Sequence, residues 1–286
     1  MKTKQFLKII PYFSLIHSMV LANPFCIAHR GYHTSQENLP ENSLAAVVAA
    51  EKIGADGVEV DIHHTKDGFA VLNHDKKLGK YAKTKPNSTK PCPVDIPIAE
   101  LNLSQLSSCI LLNNESVPTL EQLFNQMKVL NKIRPFKLSL EFKDSGNEKT
   151  FDHLNGFIEE VPCEMLSFKS SILHEMQESS CHLSLLNSEI VDLALFPTSG
   201  RGKGFGMGLG FDHDISKVYF NYTVTGTEFI KERLEKGLPT GVWTVNDASS
   251  IELLIEVAFQ YSDTHLSIVT NYPNICVEKR NKYLQE

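Results

Sequence analysis

Short apolar runs alternate with amphipathic helical patterns along most of this chain, and the alternation limits the folds open to it. The runs that read as strands are 25–28, 57–62, 136–142, 164–168, 182–186, 217–221, 240–245 and 265–270. Strands that alternate with helices are typical of parallel α/β architecture. Eight such units in 286 residues predict an α/β chain that folds as one (β/α)8 TIM barrel.

Ionisable side chains concentrate around the ends of the first two strands. Glu59 and Asp61 stand two residues apart on the second strand, so their side chains share one face. In a barrel that face points inward, where two unpaired carboxylates are costly unless a cation lies between them. We therefore expect a bound divalent metal cation, Ca²⁺ or Mg²⁺, because both prefer carboxylate oxygens. The alternative is an exposed strand face whose carboxylates pair with lysines.

Two histidines and two basic side chains complete this candidate site. His29 ends the first strand and His74 follows the second, where the active sites of barrels form. Imidazoles titrate near neutral pH and exchange protons with alcohols, which makes both histidines candidate acid–base catalysts. Arg30 and Lys143 are candidate phosphate binders, with structural ion pairs as the alternative.

One stretch, residues 76–116, interrupts the alternation with clusters of Lys, Pro, Ser and Asn and few periodic apolar positions. It follows strand 2 and a short continuation at 69–72, so we expect an inserted loop or small subdomain over the barrel mouth. The chain has six cysteines and no C-x-x-C pair. Cys92 and Cys109 lie together in the insertion and could form a disulfide, with unpaired thiols as the alternative.

The N-terminus is typical of a secretory signal peptide. Three lysines precede an apolar run from Ile9 to Leu21, and Ala22 offers a small-residue cleavage site. We therefore expect residues 1–22 to be removed, residues 23–286 to form the barrel domain, and the protein to be exported to the periplasm or secreted. A buried N-terminal helix is the alternative. The charged C-terminal tail, residues 277–286, is expected to fray.

The net charge of the chain limits the classes of molecule that it is expected to bind. A net charge of -6 argues against a sequence-independent nucleic-acid binder, which needs a basic face. It does not exclude an anionic substrate, because a bound cation and a few basic side chains can dominate the field in the site. The lysines that open the insertion, between residues 76 and 85, suit a soluble anionic substrate or a peripheral contact with a phospholipid surface. The sequence predicts no oligomeric state.

The chain resembles the glycerophosphodiester phosphodiesterase family, whose barrels are similar to those of phosphatidylinositol-specific phospholipases C. The matching pieces follow in order: His29-Arg30-Gly31, Pro40-Glu41-Asn42-Ser43, Gly57-Val58-Glu59-Val60-Asp61, Thr65-Lys66-Asp67-Gly68, His74-Asp75, Val117-Pro118-Thr119-Leu120-Glu121, Leu140-Glu141-Phe142-Lys143, Gly241-Val242-Trp243-Thr244-Val245-Asn246 and Val269-Thr270-Asn271-Tyr272-Pro273. Asn271 stands where the family usually has Asp, and we expect that position to be structural.

The resemblance implies roles for individual residues. His29 and His74 would be the general acid and the general base, in an order that the sequence leaves open. Glu141 would be a third metal ligand beside Glu59 and Asp61, and Trp243 would form a wall for the alcohol part of the substrate or belong to the core.

The activity that the resemblance implies is metal-dependent hydrolysis of a small glycerophosphodiester to glycerol 3-phosphate and an alcohol such as choline, ethanolamine or glycerol. One alternative is a phospholipase D-like enzyme on the same barrel that acts on lysophospholipid or sphingomyelin. Another is a binding protein that keeps the barrel and has lost the chemistry, although the full set of ionisable residues argues against it.

Overall fold

The computed structural model describes residues 24–34, 37–145, 150, 156, 161–176, 181–187, 217–261 and 265–285. The strands in this part of the chain are β1 (Phe25–His29), β2 (Gly57–His64), β3 (Ala70–Leu72), β4 (Ala82–Thr84), β5 (Cys109–Leu111), β6 (Lys137–Phe142), β7 (Cys163–Ser167), β8 (His182–Asn187), β9 (Lys217–Asn221), β10 (Thr240–Trp243) and β11 (Leu266–Thr270). The α-helices are α1 (Leu44–Lys52), α2 (Leu103–Leu106), α3 (Leu120–Asn131), α4 (Ser170–Glu175), α5 (Tyr222–Glu235), α6 (Ala248–Gln260) and α7 (Pro273–Tyr283).

Eight of the described strands close into a parallel barrel in the order β1, β2, β6, β7, β8, β9, β10, β11. Strand β1 closes the barrel because it pairs with β2 on one side and with β11 on the other. The α/β TIM-barrel prediction is therefore confirmed, and each predicted strand overlaps one strand of the barrel.

Alternation along β2 shows why the site lies inside the barrel. Val58, Val60 and Ile62 are fully buried in the main apolar core, together with residues of the surrounding helices. The residues between them, Glu59 and Asp61, take the other face of the strand, which in a closed barrel is the interior. Three apolar side chains packed outward thus fix two carboxylates inward.

Local sequence signals set the starts of the long helices. The Ser43 hydroxyl accepts a hydrogen bond from the backbone N–H of Ala46 and caps α1. Thr119 and Gln122 form a reciprocal capping box at the start of α3. In α5 the backbone turns at Gly226, where φ is 69°, so the regular part of the helix begins after that residue.

The N-terminal ends of the strands are closed by polar side chains that satisfy one another. Glu164 accepts a hydrogen bond of 2.8 Å from the Tyr219 hydroxyl and lies 3.4 Å from Lys217 Nζ. Lys217 also donates to the Ser267 hydroxyl at 3.1 Å. Lys217 and Glu164 line a cavity of about 370 Å³ at this end. Because its buried charges are paired, we assign this end a structural role, as is usual for the bottom of a barrel.

The insertion, residues 76–116, is a small subdomain. Strands β4 and β5 pair antiparallel within it, and β3 adds antiparallel to β2 just before it. A second apolar cluster packs the insertion against β3 and is made of Val71, Leu78, Ala82, Cys92, Ile98, Leu101, Leu106, Cys109, Leu111 and Val117. The disulfide between Cys92 and Cys109 is present, as the sequence allowed.

The expectation that residues 277–286 fray is wrong for the helical part of that tail. Helix α7 runs to Tyr283, and Cys276 is bonded to Cys26 at the edge of β1. Arg280 is 8% exposed, and its guanidinium bonds the Asp56 carboxylate and donates to the Pro24 carbonyl at 3.3 Å. A covalent bond and an ion pair thus hold a helix whose composition is mostly polar.

The predicted signal peptide, residues 1–22, lies outside the described residues. Within the ranges that the structure does describe, no helix is both long and apolar enough to cross a membrane.

Candidate active site

A cavity of about 160 Å³ opens at the carboxyl ends of the barrel strands. Its lining includes seven of the eight predicted site residues: His29, Arg30, Glu59, His74, Glu141, Lys143 and Trp243. The eighth, Asp61, is fully buried beside them. The fold therefore brings together residues that lie more than 200 positions apart in the sequence.

Three carboxylates form the centre of the site. Asp61 and Glu141 are register partners on β2 and β6, and Glu59 lies one inward position earlier on β2. One oxygen of each lies within 4.8 Å of the others, a spacing at which a single cation could contact all three. Glu59, Asp61 and Glu141 are 3%, 0% and 8% exposed, so water does little to offset their mutual repulsion.

Two basic side chains approach these carboxylates. Lys143 Nζ lies 2.8 Å from Asp61 Oδ1 and also bonds Glu141. Arg30 Nε lies 3.2 Å from Asp61 Oδ2, and its Nη1 donates to Glu41 at 3.0 Å. The ion pairs that the sequence left as an alternative are therefore present, and the same two groups still line the cavity where a phosphate would bind.

Neighbouring positive charges compensate the carboxylates of the centre to different extents. Burial, and then the charges of Asp61 and Glu141, raise the pKa of Glu59 well above its ordinary value. Burial would also raise the pKa of Asp61, but Lys143 and Arg30 outweigh it and lower that pKa. The negative charge of Glu59 is thus less well compensated by neighbouring basic groups than that of Asp61.

A divalent cation fits this centre. Glu59 Oε1 is buried and has no hydrogen-bond partner among the described residues, whereas its Oε2 accepts from the backbone N–H of Arg30 at 3.1 Å. An orphaned carboxylate oxygen in a cluster of three carboxylates is a ligand set of the kind that Ca²⁺ and Mg²⁺ prefer. Glu59, Asp61 and Glu141 are therefore the residues that could hold a metal.

The loop after β1 is shaped to support these carboxylates. Arg30 and Asn42 have left-handed backbone conformations, with φ of 58° and 56°, which are uncommon for residues other than glycine. Gly31 follows with φ of 84°, and a Cβ there would lie 2.7 Å from the Ala46 Cβ. The His-Arg-Gly step is thus a tight turn that needs glycine in its third position.

His29 is held by a residue that the sequence marked only as structural. Its Nδ1 donates a hydrogen bond of 2.6 Å to Asn271 Oδ1, while its Nε2 lies 3.9 Å from Glu59 Oε2. Burial, and then the charge of Arg30, lower the pKa of His29 to about 4, which keeps the ring neutral. With Nδ1 as donor, Nε2 carries a lone pair.

His74 is more open to solvent. Its Nδ1 lies 2.8 Å from Asp75 Oδ1, and its side chain is 35% exposed. The backbone carbonyl of His74 is 3.2 Å from His63 Nε2, and His63 Nδ1 lies 3.0 Å from Asp144 Oδ2. A buried histidine on β2 therefore fixes the segment that presents His74.

Sequence reasoning missed the roles of two further residues at this end. Asn271 contacts His29, and only the closure of β11 against β1 brings it there. Phe168 packs edge-on against Trp243, with ring centroids 5.1 Å apart, and is 42% exposed at the cavity. An exposed Phe immediately after a strand was the available signal. Trp243 Nε1 is buried without a hydrogen-bond partner in the described part of the chain.

Comparison with known proteins agrees with this geometry. A family model, the glycerophosphoryl diester phosphodiesterase family, matches residues 29–189, more than half of the chain. Over 54 residues the chain is 46% identical to a glycerophosphodiester phosphodiesterase of Caldanaerobacter subterraneus subsp. tengcongensis, an alignment covering 19% of this chain and 21% of that protein. The chain therefore spans about a fifth of the length of that relative.

Solved structures share the fold over nearly the whole chain. A glycerophosphodiester phosphodiesterase from Parabacteroides distasonis has a TM-score of 0.63 at 24% identity, over 92% of this chain and 98% of that one. An Oleispira antarctica phosphodiesterase, solved in complex with the product sn-glycerol-3-phosphate, has a TM-score of 0.63 at 19% identity, over 91% and 97%. At these identities the likeness shows a common barrel.

Proposed function

The chain belongs to the glycerophosphoryl diester phosphodiesterase family, and we propose that it hydrolyses glycerophosphodiesters to glycerol 3-phosphate and an alcohol with the help of a divalent cation. The observation that carries this proposal is one cavity that joins a buried cluster of three carboxylates to two histidines and two basic side chains. The relative from Oleispira antarctica, which was solved with sn-glycerol-3-phosphate, supports the choice of product.

The charged side chains that line the cavity would bind the phosphate of the substrate. Glu59, Asp61 and Glu141 would hold the cation, which supplies polarisation of a phosphoryl oxygen and offsets the charge that grows in the transition state. Arg30 and Lys143 add positive charge beside it and bind the other phosphoryl oxygens.

Proton transfer falls to the two histidines. The hydrogen bond from His29 Nδ1 to Asn271 leaves Nε2 free to accept a proton from the attacking hydroxyl. His74, beside Asp75 and closer to solvent, is placed to give a proton to the departing alcohol. His29 is thus proposed as the base and His74 as the acid.

The alcohol part of the substrate would contact the aromatic pair Trp243 and Phe168. Trp243 adds an unpartnered N–H donor, which suits a hydroxyl or phosphoryl oxygen at that wall. The described cavity of about 160 Å³ is small for a lipid with a long acyl chain, so the geometry favours a soluble diester over lysophospholipid or sphingomyelin.

A barrel without chemistry is disfavoured on energetic grounds. Buried like charges destabilise a fold, and residues that bind nothing are free to change to apolar ones. Here Glu59, Asp61 and Glu141 lie together in one buried cluster.

The proposal includes export to the periplasm or secretion. All six cysteines lie in described residues and are paired, as Cys26–Cys276, Cys92–Cys109 and Cys163–Cys181. Disulfides persist in oxidising compartments, which supports export. Mass spectrometry of exported protein should find a new N-terminus near Asn23, and an intact Met1 would contradict the proposal.

The activity is tested by measuring release of glycerol 3-phosphate from glycerophosphocholine, glycerophosphoethanolamine and glycerophosphoglycerol. We expect activity to disappear in EDTA and to return with Ca²⁺ or Mg²⁺. Glu59→Gln should abolish activity, whereas Glu121→Gln, an exposed carboxylate on α3, should leave it unchanged. Full activity in EDTA, or in the Glu59 variant, would refute the metal-dependent mechanism.

A further inference from the structure

The insertion carries a dense group of lysines that the proposed chemistry does not use. Residues 76–90 hold six lysines, and none of the 34 acidic residues of the chain lies among them. Their side chains, which we call the lysine face, are all exposed: Lys76, Lys77, Lys80, Lys83, Lys85 and Lys90. The chain has a net charge of -6, so this concentration of positive charge is local.

The lysine face is unpaired in the part of the chain that the structure describes. None of its six ammonium groups forms an ion pair with a described carboxylate. The side-chain contact that Lys80 makes is with the Tyr81 ring, 5.1 Å from its centroid. Six unpaired like charges in 15 residues repel one another, so the face is favourable only toward an anionic partner.

The lysine face lies on a cross-linked subdomain beside the barrel mouth. The Cys92–Cys109 disulfide and the pairing of β4 with β5 fix its backbone. Glu115, at the end of the insertion, accepts hydrogen bonds from the backbone N–H groups of Leu44 and Ala45, both at 3.1 Å. His74, which lines the cavity, is two residues from the first lysine.

Two exposed apolar side chains flank the lysine face. Ile96 is 42% exposed and precedes Pro97, which bridges to Lys77. Leu112 is 43% exposed and follows Leu111, the partner of Ala82 on β4. Lysines around a few apolar side chains are the composition of surfaces that lie on anionic membranes.

From this arrangement we propose that the lysine face docks the barrel on a bilayer that contains anionic phospholipid, with Ile96 and Leu112 reaching the headgroup layer. A polyanion such as nucleic acid would be attracted to the lysines but would not bury the two apolar side chains. The proposal extends the proposed function by placing the cavity near lipids whose deacylation leaves glycerophosphodiesters. The binding itself does not depend on any catalysis.

The test is vesicle flotation of the whole protein, with no substrate present. The wild type should float with vesicles of phosphatidylcholine mixed with phosphatidylglycerol and should stay behind with pure phosphatidylcholine. Binding should fall when salt is raised from about 0.1 M to about 1 M, because the screening length drops from about 10 Å to about 3 Å. Absence of binding to the anionic vesicles would overturn the proposal, while the hydrolysis assay would still stand or fall separately.

A matched pair of triple variants locates the effect. Lys80→Gln/Lys83→Gln/Lys85→Gln should lower the partition coefficient about 100-fold, at about 1 kcal/mol for each lysine near an anionic surface. Lys52→Gln/Lys132→Gln/Lys282→Gln removes the same charge from exposed positions at the other end of the barrel and should change binding less than about twofold. Equal losses in both variants would mean a general charge effect and would overturn the proposal.

Two other outcomes also overturn it. One is that duplex DNA at equal phosphate concentration binds the wild type as tightly as the anionic vesicles do. The other is that the Lys80, Lys83 and Lys85 variant floats normally but loses kcat/KM on a soluble diester, which would make the lysine face a device that attracts substrate.

Discussion

Single asparagines organise the charged groups of the site. Asn42 donates from its side-chain amide to Asp61 Oδ2 at 2.8 Å and accepts from the backbone N–H of Asp61 at 3.0 Å. Asn271 accepts from His29 at 2.6 Å. A neutral amide orients a carboxylate or an imidazole without adding charge to a site that already holds three carboxylates and two basic side chains.

Sequence reasoning found Glu59, Asp61 and the two histidines because ionisable side chains on or directly after buried barrel strands are rare unless they bind or react, whereas the family resemblance supplied Glu141. It did not find the partners of those residues. Asn271 contacts His29 across the β1–β11 seam, 242 positions away, and no local pattern encodes that contact. Phe168 was overlooked because an exposed aromatic residue is not unusual by itself.

The first prediction at this scale concerns the histidines. His29→Ala and His74→Ala should each lower kcat by roughly 10²–10⁴-fold on glycerophosphocholine while the fold survives. A diester with a p-nitrophenolate leaving group needs little protonation as it departs. That substrate should rescue His74→Ala much more than His29→Ala, which kinetic assays on purified variants can measure. Preferential rescue of His29→Ala would reverse the roles.

The second prediction concerns Glu59 and pH. Because the pKa of Glu59 is raised in the folded protein, its contribution to stability is complete below its ordinary pKa and is lost as pH rises through the raised value. The Tm of metal-free protein should therefore fall as pH rises above the ordinary pKa of a glutamate, and the Tm of Glu59→Gln should fall less, since glutamine cannot ionise. Thermal unfolding in EDTA measures this, with Glu121→Gln as control. If the Tm of Glu59→Gln and of the wild type fell equally with rising pH, the prediction would be contradicted.

At the scale of elements, apolar periodicity predicted the barrel strands well, because a strand buried on both sides leaves a continuous apolar run. It failed for α7, which holds mostly polar residues. That helix is placed by the Cys26–Cys276 bond and by Arg280 against Asp56, neither of which has a periodic signal. The insertion was predicted as either loop or subdomain, since its buried residues are spread without a period.

We expect the Cys92–Cys109 disulfide to protect the insertion from proteolysis. Cys92→Ser/Cys109→Ser opens a loop whose ends are 17 residues apart, and a loop of that size is worth about 3 kcal/mol in the chain-entropy model. Trypsin should therefore cleave within residues 76–116 roughly 10²-fold faster while the barrel stays resistant. Mass spectrometry of the fragments locates the cuts. Cys163→Ser/Cys181→Ser, with a separation of 18, is the matched control and should leave cleavage of the insertion unchanged.

For the whole molecule, the two ends of the described barrel are joined by one covalent bond. Cys26 on β1 and Cys276 in α7 are 250 positions apart, so their disulfide closes the largest of the three loops. Cys26→Ser/Cys276→Ser should cost roughly 5 kcal/mol of unfolding free energy, more than the roughly 3 kcal/mol expected for the Cys163 and Cys181 pair. Urea unfolding of both variants under non-oxidising conditions checks the ranking. An equal or smaller loss for the long loop would contradict it.

The same bond sets an order of events during synthesis. Cys26 and Cys276 are 250 positions apart, so Cys26 is synthesised long before its partner. The bond can form only after α7, which carries Cys276, has been made, and in the folded protein β1 then lies beside β11. A chain that stops before α7 would therefore be left with Cys26 unpaired, and its barrel would lack the covalent bond between β1 and α7.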